Sequence, residues 1–166
     1  MTQIINRMDE FKNFMNVCET DLEIYAYALD EAKKSLREGG IPIGAALARR
    51  GNLLGVGHNK RIQEGDATAH AEIDCLRNAG RIGDYGDTTL YTTLFPCYLC
   101  SGAIILFKIK RLVIGQSRTF DGEGSFDLLH DHGVELIDLQ DEESIRLMSD
   151  FISHNPKIWM EDIGHS

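Results

Sequence analysis

His70 and Glu72 are separated by one residue, and Pro96 and Cys97 follow further on with Cys100 three positions later. One imidazole, two thiols and a carboxylate suit a metal that performs chemistry. Zinc is tetrahedral and borderline soft, so a histidine nitrogen and two thiolates hold it while a fourth position stays open to water. A structural zinc site would instead be closed by a fourth protein ligand. Cys75 lies five residues beyond His70, which on a helix turns it by about 140° and away from the metal. Cys18 has no paired ligand nearby. His70, Cys97 and Cys100 are therefore the expected ligands of one catalytic Zn2+ per subunit, and Glu72, not needed for ligation, is the expected general acid and base.

Backbone elements have to bring these groups together. Residues 67 to 76 read as a loop entering a helix, and Pro96 before Cys97 reads as a second helix start. Two helix N-termini would then converge on the metal, where their partial positive ends favour thiolates. Cys97 and Cys100, at i and i+3, share one helix face. On the side of a long helix His70 and Glu72 would diverge, so the site is expected off the helix end.

The surrounding pattern is layered. Residues 21 to 37 carry Leu22, Ala26, Leu29, Ala32 and Leu36 at helical spacing, ended by Gly39 and Gly40. Strands are expected over 43 to 48, 53 to 56, 89 to 94, 111 to 115 and 134 to 139, with a Gly-rich turn at 121 to 124, a short helix near 126 to 130, and an acid-capped helix from about 141 to 154. The piece between the last two strands is too long for a hairpin, so those strands are expected to be parallel and joined by a crossover. This alternation predicts an α/β fold, a three-layer α/β/α arrangement with a central five-stranded mixed sheet. Ligands of such sheets bind outside the strand ends.

At 166 residues the chain is expected to form one domain over 21 to 166, preceded by an N-terminal extension over 1 to 20. The net charge of −9, with lysines and arginines scattered, argues against a nucleic-acid partner, which would be met by a basic patch. A polar N-terminus and the lack of any long apolar run argue against secretion and membrane insertion, giving a cytoplasmic expectation. Four cysteines, two of them assigned to metal, fit that compartment.

The H-x-E and P-C-x-x-C pairing is the signature of zinc-dependent deaminases. From about Ala26 onward the chain resembles the fungal-type cytosine deaminases of the cytidine-deaminase-like superfamily. The resemblance is carried by Gly39-Gly40-Ile41-Pro42-Ile43-Gly44, Gly57-His58-Asn59, Thr68-Ala69-His70-Ala71-Glu72, Thr89-Leu90-Tyr91-Thr92-Thr93-Leu94, Ser101-Gly102-Ala103-Ile104-Ile105 and the tail Trp159-Met160-Glu161-Asp162-Ile163-Gly164. The tail is the most discriminating piece, because the zinc motif is common to the superfamily.

The resemblance implies hydrolytic deamination of a free nucleobase, cytosine to uracil, with Glu72 taking a proton from water, passing it to a ring nitrogen and then protonating the departing amine. It implies that Asn59 hydrogen-bonds the amide edge of the base, that Phe120 packs on it, and that Trp159 and Asp162 close the pocket with the aspartate facing the amine. It also implies a homodimer and a small-molecule substrate. Phe95 stands where the fungal enzymes have serine, and Ala71 where they have glycine. Both positions are implied to act through the backbone, a carbonyl near the amine and an N–H near the ring oxygen, while the bulk of Phe95 can narrow the pocket, reshape it or turn outward.

Other readings keep the chemistry and change the substrate: guanine or another aminated heterocycle, a nucleoside, or adenosine in transfer RNA. A zinc-stabilised interaction domain without activity is a further alternative, whose mark would be loss of the acid, and Glu72 is present.

Overall fold

The computed structural model describes residues 18–165. Of the extension expected over 1 to 20, residues 1–17 lie outside that range; Cys18 is the N-cap of helix α1, Glu19–Arg37. Asp21 accepts the Cys18 N–H at 3.0 Å, which fixes the start of the helix. Strands β1 (Gly44–Arg49) and β2 (Asn52–His58) form a hairpin, and the one-turn helix α2 (Arg61–Glu64) leads to α3 (Ala71–Ala79). Then follow β3 (Thr88–Thr92), α4 (Tyr98–Leu106), β4 (Arg111–Ile114), α5 (Ser125–Asp131), β5 (Glu135–Asp138), α6 (Glu142–His154) and α7 (Pro156–Asp162). The sequence signals missed α2 and α7 as helices. The first has only four residues, and the second follows α6 after Asn155 alone, opening on Pro156 at its first turn.

The sheet order is β2-β1-β3-β4-β5. β1 runs antiparallel to β2 and β3, whereas β3, β4 and β5 are mutually parallel. The expected crossover between the last two strands is present, with α5 inside it. Alternate residues of each strand feed two cores. Ala46, Ala48, Tyr91, Val113 and Ile137 pack with Ile24, Tyr25 and Ala28 of α1. On the opposite face Ala45, Leu47, Leu90, Leu112 and Ile114 pack with Cys75, Ile104, Leu129, Met148 and Phe151 from α3, α4, α5 and α6. No helix among the described residues is long and apolar enough to cross a membrane.

The helix expected over 21 to 37 is α1, but only part of the apolar spacing that marks it is buried. Leu22 and Leu36 are 54% and 42% exposed, and Ala26 is also exposed, while Ile24, Tyr25, Ala28 and Ala32 face the sheet. Two causes shift the buried face. Asp21 and Ser35 are buried with polar partners, which an apolar count ignores. Ala28 and Ala32 also press their backbone onto Gly44, where a Cβ would stand 2.0 Å from the Ala28 oxygen. A close helix-on-sheet approach selects small residues rather than leucines.

The expected active-site edge is built where β2, β3 and β4 end. Asn59 follows β2, the segment 94 to 97 follows β3, and Phe120 lies beyond β4.

Candidate active site

His70 is the N-cap of α3 and Cys97 the N-cap of α4, both with extended backbone (φ −69°, ψ 156° and φ −74°, ψ 177°). The two cap side chains meet, so the two N-termini converge as the spacing required. The nearest donor atoms of His70, Cys97 and Cys100 lie within 4.8 Å of one another, and Cys97 Sγ is 3.5 Å from His70 Nδ1. Ligands on a tetrahedral zinc stand about 3.4–3.8 Å apart, given bond lengths of about 2.1 Å to nitrogen and 2.3 Å to sulfur. The donor set and spacing fit that ion. Among the described residues no fourth histidine, cysteine or carboxylate joins the group. Cys75 is turned away and contacts the Gly55 carbonyl at 3.4 Å.

Charge is concentrated here. A hydrogen bond from Cys100, opposed by burial and reinforced by His70, holds the Cys97 thiol down at about 4. Its partner Cys100 is pushed up by that same hydrogen bond and by burial. A divalent cation would favour the thiolate form of both. Burial works against His70 ionisation, yet contact with Cys97 raises its pKa. Glu72, only 4% exposed, is pushed up by burial and by the Cys97 charge. Its Oε2 accepts from Cys100 Sγ at 3.2 Å and its Oε1 lies 2.9 Å from Thr92 Oγ1.

These groups border a cavity of roughly 340 Å³, counted with its open mouth and lined by Asn59, His70, Ala71, Glu72, Phe95, Cys97, Phe120, Trp159 and Asp162, together with Ile43, Leu94 and Ile163. Of the residues expected from the sequence, Cys100 alone stands behind the wall. Asn59 is 1% exposed; its Oδ1 accepts from the Arg61 N–H, and its Nδ2 has no partner. Phe120 and Trp159 meet edge to face with centroids 5.8 Å apart. Asp162 keeps a side chain only 5% exposed at the end of α7. Ala71 is the first residue of α3, so its N–H has no partner inside the helix.

Phe95 does not turn outward. It is buried, and its ring packs under Gly122, where a Cβ would lie 2.5 Å from Cδ1. Tyr98, the second aromatic nearby, is exposed and donates its hydroxyl to the Glu123 carbonyl at 2.9 Å. Both aromatics therefore hold the loop that presents Phe120. His58 is structural, clasped between Glu31 Oε2 at 2.6 Å and Glu38 Oε2 at 2.8 Å.

The profile of the cytidine and deoxycytidylate deaminase zinc-binding region matches residues 18–116, which include both helix caps, Glu72 and Cys100. The chain belongs to this deaminase family. It is 49% identical over 140 residues to the cytosine deaminase of Candida albicans, across 82% of this chain and 92% of that one. It is 50% identical over 96 residues to a tRNA-specific adenosine deaminase of Buchnera aphidicola, across 56% of this chain and 60% of that one. In three dimensions the guanine deaminase of Nitrosomonas europaea superposes with a TM-score of 0.69 over 82% of this chain and 86% of that one; at 22% identity this is a likeness of fold. The deaminase is thus a zinc-binding enzyme of the hydrolase class on a five-stranded mixed sheet.

Two polar residues of this deaminase escaped the sequence reading. Thr92 contacts Glu72 from the last position of β3, but a threonine in a strand carries no distinguishing signal. Arg61 contacts Asp162 across 101 positions of sequence, from a single helical turn where a charged residue reads as solvated. No local pattern foretells that pairing.

Proposed function

We propose that this deaminase hydrolyses a free nucleobase, cytosine, to uracil and ammonia. The observation that carries the reading is the pairing of an unpartnered buried donor, Asn59 Nδ2, with the Asp162 carboxylate in one small cavity beside Glu72, roofed by Phe120 and Trp159. A cytosine ring offers a carbonyl to the donor and an amine to the acceptor. The similarity to the Candida albicans cytosine deaminase over most of both chains supports the same substrate.

His70, Cys97 and Cys100 hold the metal in this reading. Zinc, when bound, acts as a Lewis acid that makes water nucleophilic at neutral pH. Asn59 Nδ2 and the Ala71 N–H donate to the base carbonyl, and Asp162 with the Phe95 carbonyl accepts from the amine. Phe120 and Trp159 exclude solvent. Glu72 takes a proton from the attacking water and delivers it to ring nitrogen N3 as the water oxygen bonds to C4. It then carries the second water proton to the amine, the C4–N bond breaks, and ammonia leaves. A carboxyl raised in pKa by burial and by Cys97 can hold the proton between these steps.

Ammonia release from zinc-loaded protein supplied with cytosine, cytidine, guanine and adenine tests the reading. Cytosine is expected to be the turned-over substrate; turnover of nucleosides alone rejects the free-base assignment. Guanine and adenosine in transfer RNA are the competing substrates, and the charge of −9 disfavours a polynucleotide.

We further propose that residues 21–166 act as one domain and that the enzyme is a cytoplasmic homodimer in pyrimidine salvage. Leu99, Leu106 and Phe107 in and after α4 are exposed apolar groups suited to a second subunit. Free thiols at Cys18 and Cys75 suit a reducing compartment. Sedimentation equilibrium at twice the chain mass supports the dimer, and a monomer at micromolar concentration rejects it.

A further inference from the structure

Arg61 contacts two residues of the cavity wall. Its backbone N–H donates to Asn59 Oδ1 at 3.1 Å, and its Nη1 donates to Asp162 Oδ1 at 2.5 Å. The first bond decides which half of the Asn59 amide is spare: with Oδ1 taken, Nδ2 is left buried and unpartnered on the cavity wall. The second bond occupies one oxygen of Asp162, and among the described residues none donates to Oδ2.

The guanidinium is itself held. Nε donates to the Ala67 carbonyl at 3.0 Å and Nη2 to Glu161 Oε1 at 2.9 Å, and the side chain is 11% exposed. A planar fork fixed on several sides imposes orientation as well as charge on its partners. Arg61 thereby ties the one-turn α2 to the end of α7.

We propose that Arg61 is a positioning residue that sets the hydrogen-bond polarity of the cavity, a donor at Asn59 and an acceptor at Asp162, and so favours the amino-bearing base over its amine-free product. The inference rests on the base-deaminase reading above. Arg61 does not touch the base. Its side chain keeps a carboxylate oxygen turned to the site of the amine, where cytosine presents N–H groups and uracil presents a carbonyl oxygen. Two acceptors facing each other repel, so the same geometry that binds substrate expels product. The backbone half of the device survives any substitution of the side chain, whereas the Asp162 half does not.

That asymmetry gives a test that a merely structural role would fail. The chain has a single tryptophan, Trp159, on the cavity wall, so its fluorescence reports occupancy directly. In zinc-loaded protein carrying Glu72→Gln to stop turnover, cytosine and uracil are titrated with and without Arg61→Ala. Loss of one charge-assisted positioning contact is expected to weaken cytosine by about 10- to 100-fold. Uracil is expected to change by less than about threefold, so the cytosine-to-uracil preference collapses. Glu161→Gln, which removes the charge of the exposed partner of Arg61 and keeps an acceptor oxygen for the fork, is expected to leave the preference intact. Arg61→Lys keeps a cation without the fork and is expected to lose part of it; this variant decides the matter if Arg61→Ala does not fold.

Equal weakening of both bases, or full preference retained in the arginine variants, overturns the inference and leaves Arg61 as an anchor of α7. Failure of the Arg61-intact protein to bind either base overturns the base-deaminase reading, and the inference with it.

Discussion

The Thr92 hydroxyl lies 2.9 Å from Glu72 Oε1 and 3.1 Å from the Leu94 carbonyl. A hydroxyl has one proton and two lone pairs. It can donate to a charged Glu72, or accept from a protonated one and donate to Leu94 instead. Both protonation states of the carboxyl therefore find a partner without moving the backbone. For a group proposed to take up and release protons twice per turnover, that is a useful surrounding.

Replacement of Glu72 by Gln is expected to lower kcat by about 10²- to 10⁴-fold while one zinc per chain is retained. Thr92→Val removes only the supporting hydroxyl, and roughly a tenfold loss in kcat is expected. Steady-state ammonia release together with metal analysis of the purified variants checks both. Undiminished turnover in Glu72→Gln would contradict its role.

Cys97 caps α4 and contributes one of the three donors found among the described residues. Metal binding is coupled to folding, so Cys97→Ala is expected to lose stoichiometric zinc and to melt at a lower temperature than the parent. Atomic absorption and a thermal melt provide the readouts. A variant that keeps one zinc per chain would mean that the ligands are misassigned.

Far from the site, Asp21 is 2% exposed and accepts from both Nη atoms of Arg111, at 2.6 and 2.8 Å, and from the Tyr91 hydroxyl at 2.7 Å. Burial would raise its pKa, but the hydrogen bonds from Arg111, Cys18 and Tyr91 outweigh it and hold the carboxyl well below the usual range. A depressed folded pKa contributes stability that is present above the unfolded value of about 3.9 and lost as pH falls toward the folded one. Asp21→Asn is expected to cost roughly 2–4 kcal/mol at pH 7. The gap between parent and variant should close below about pH 4, as denaturant titrations at a series of pH values would register. A gap that widens in acid contradicts the assignment.

Gly122 has φ +79° and lies over Phe95, so an added Cβ would meet both backbone strain and the 2.5 Å contact to the ring. Gly122→Ala is expected to destabilise the protein by about 1–3 kcal/mol and to raise KM through displacement of Phe120. Urea unfolding and substrate kinetics test the two halves. Unchanged stability with unchanged KM would show that the loop does not depend on Phe95.

Much of this site was legible because its chemistry is local. His70 with Glu72, and Cys97 with Cys100, are short-range pairs, and the helix caps that aim them are set by neighbouring residues. The strand pattern yielded the five-stranded sheet and the parallel crossover, with ends displaced by one or two residues. The buried face of α1 was not legible, because Ile24, Tyr25 and Ala28 compete with Leu22 and Leu36 for one helical period, and the close approach to Gly44 favours small residues. The pairing of Arg61 with Asp162 was beyond reach for another reason. Their contact joins chain segments 101 positions apart, and Arg61 alone looks like a solvated charge. Phe95 could be flagged as bulky, but its direction depends on a glycine 27 residues later.

Catalysis by this deaminase depends most on a metal held by one imidazole and two sulfurs, with its remaining position not supplied by the protein. X-ray absorption at the zinc edge of the loaded enzyme measures this directly. Two sulfur scatterers near 2.3 Å, a single imidazole, and a light-atom contribution that changes when a base analogue is added are the expected result, with the distance taken as about that for zinc thiolates. A spectrum of four protein ligands, with a third sulfur or a second imidazole and no response to the analogue, would contradict it.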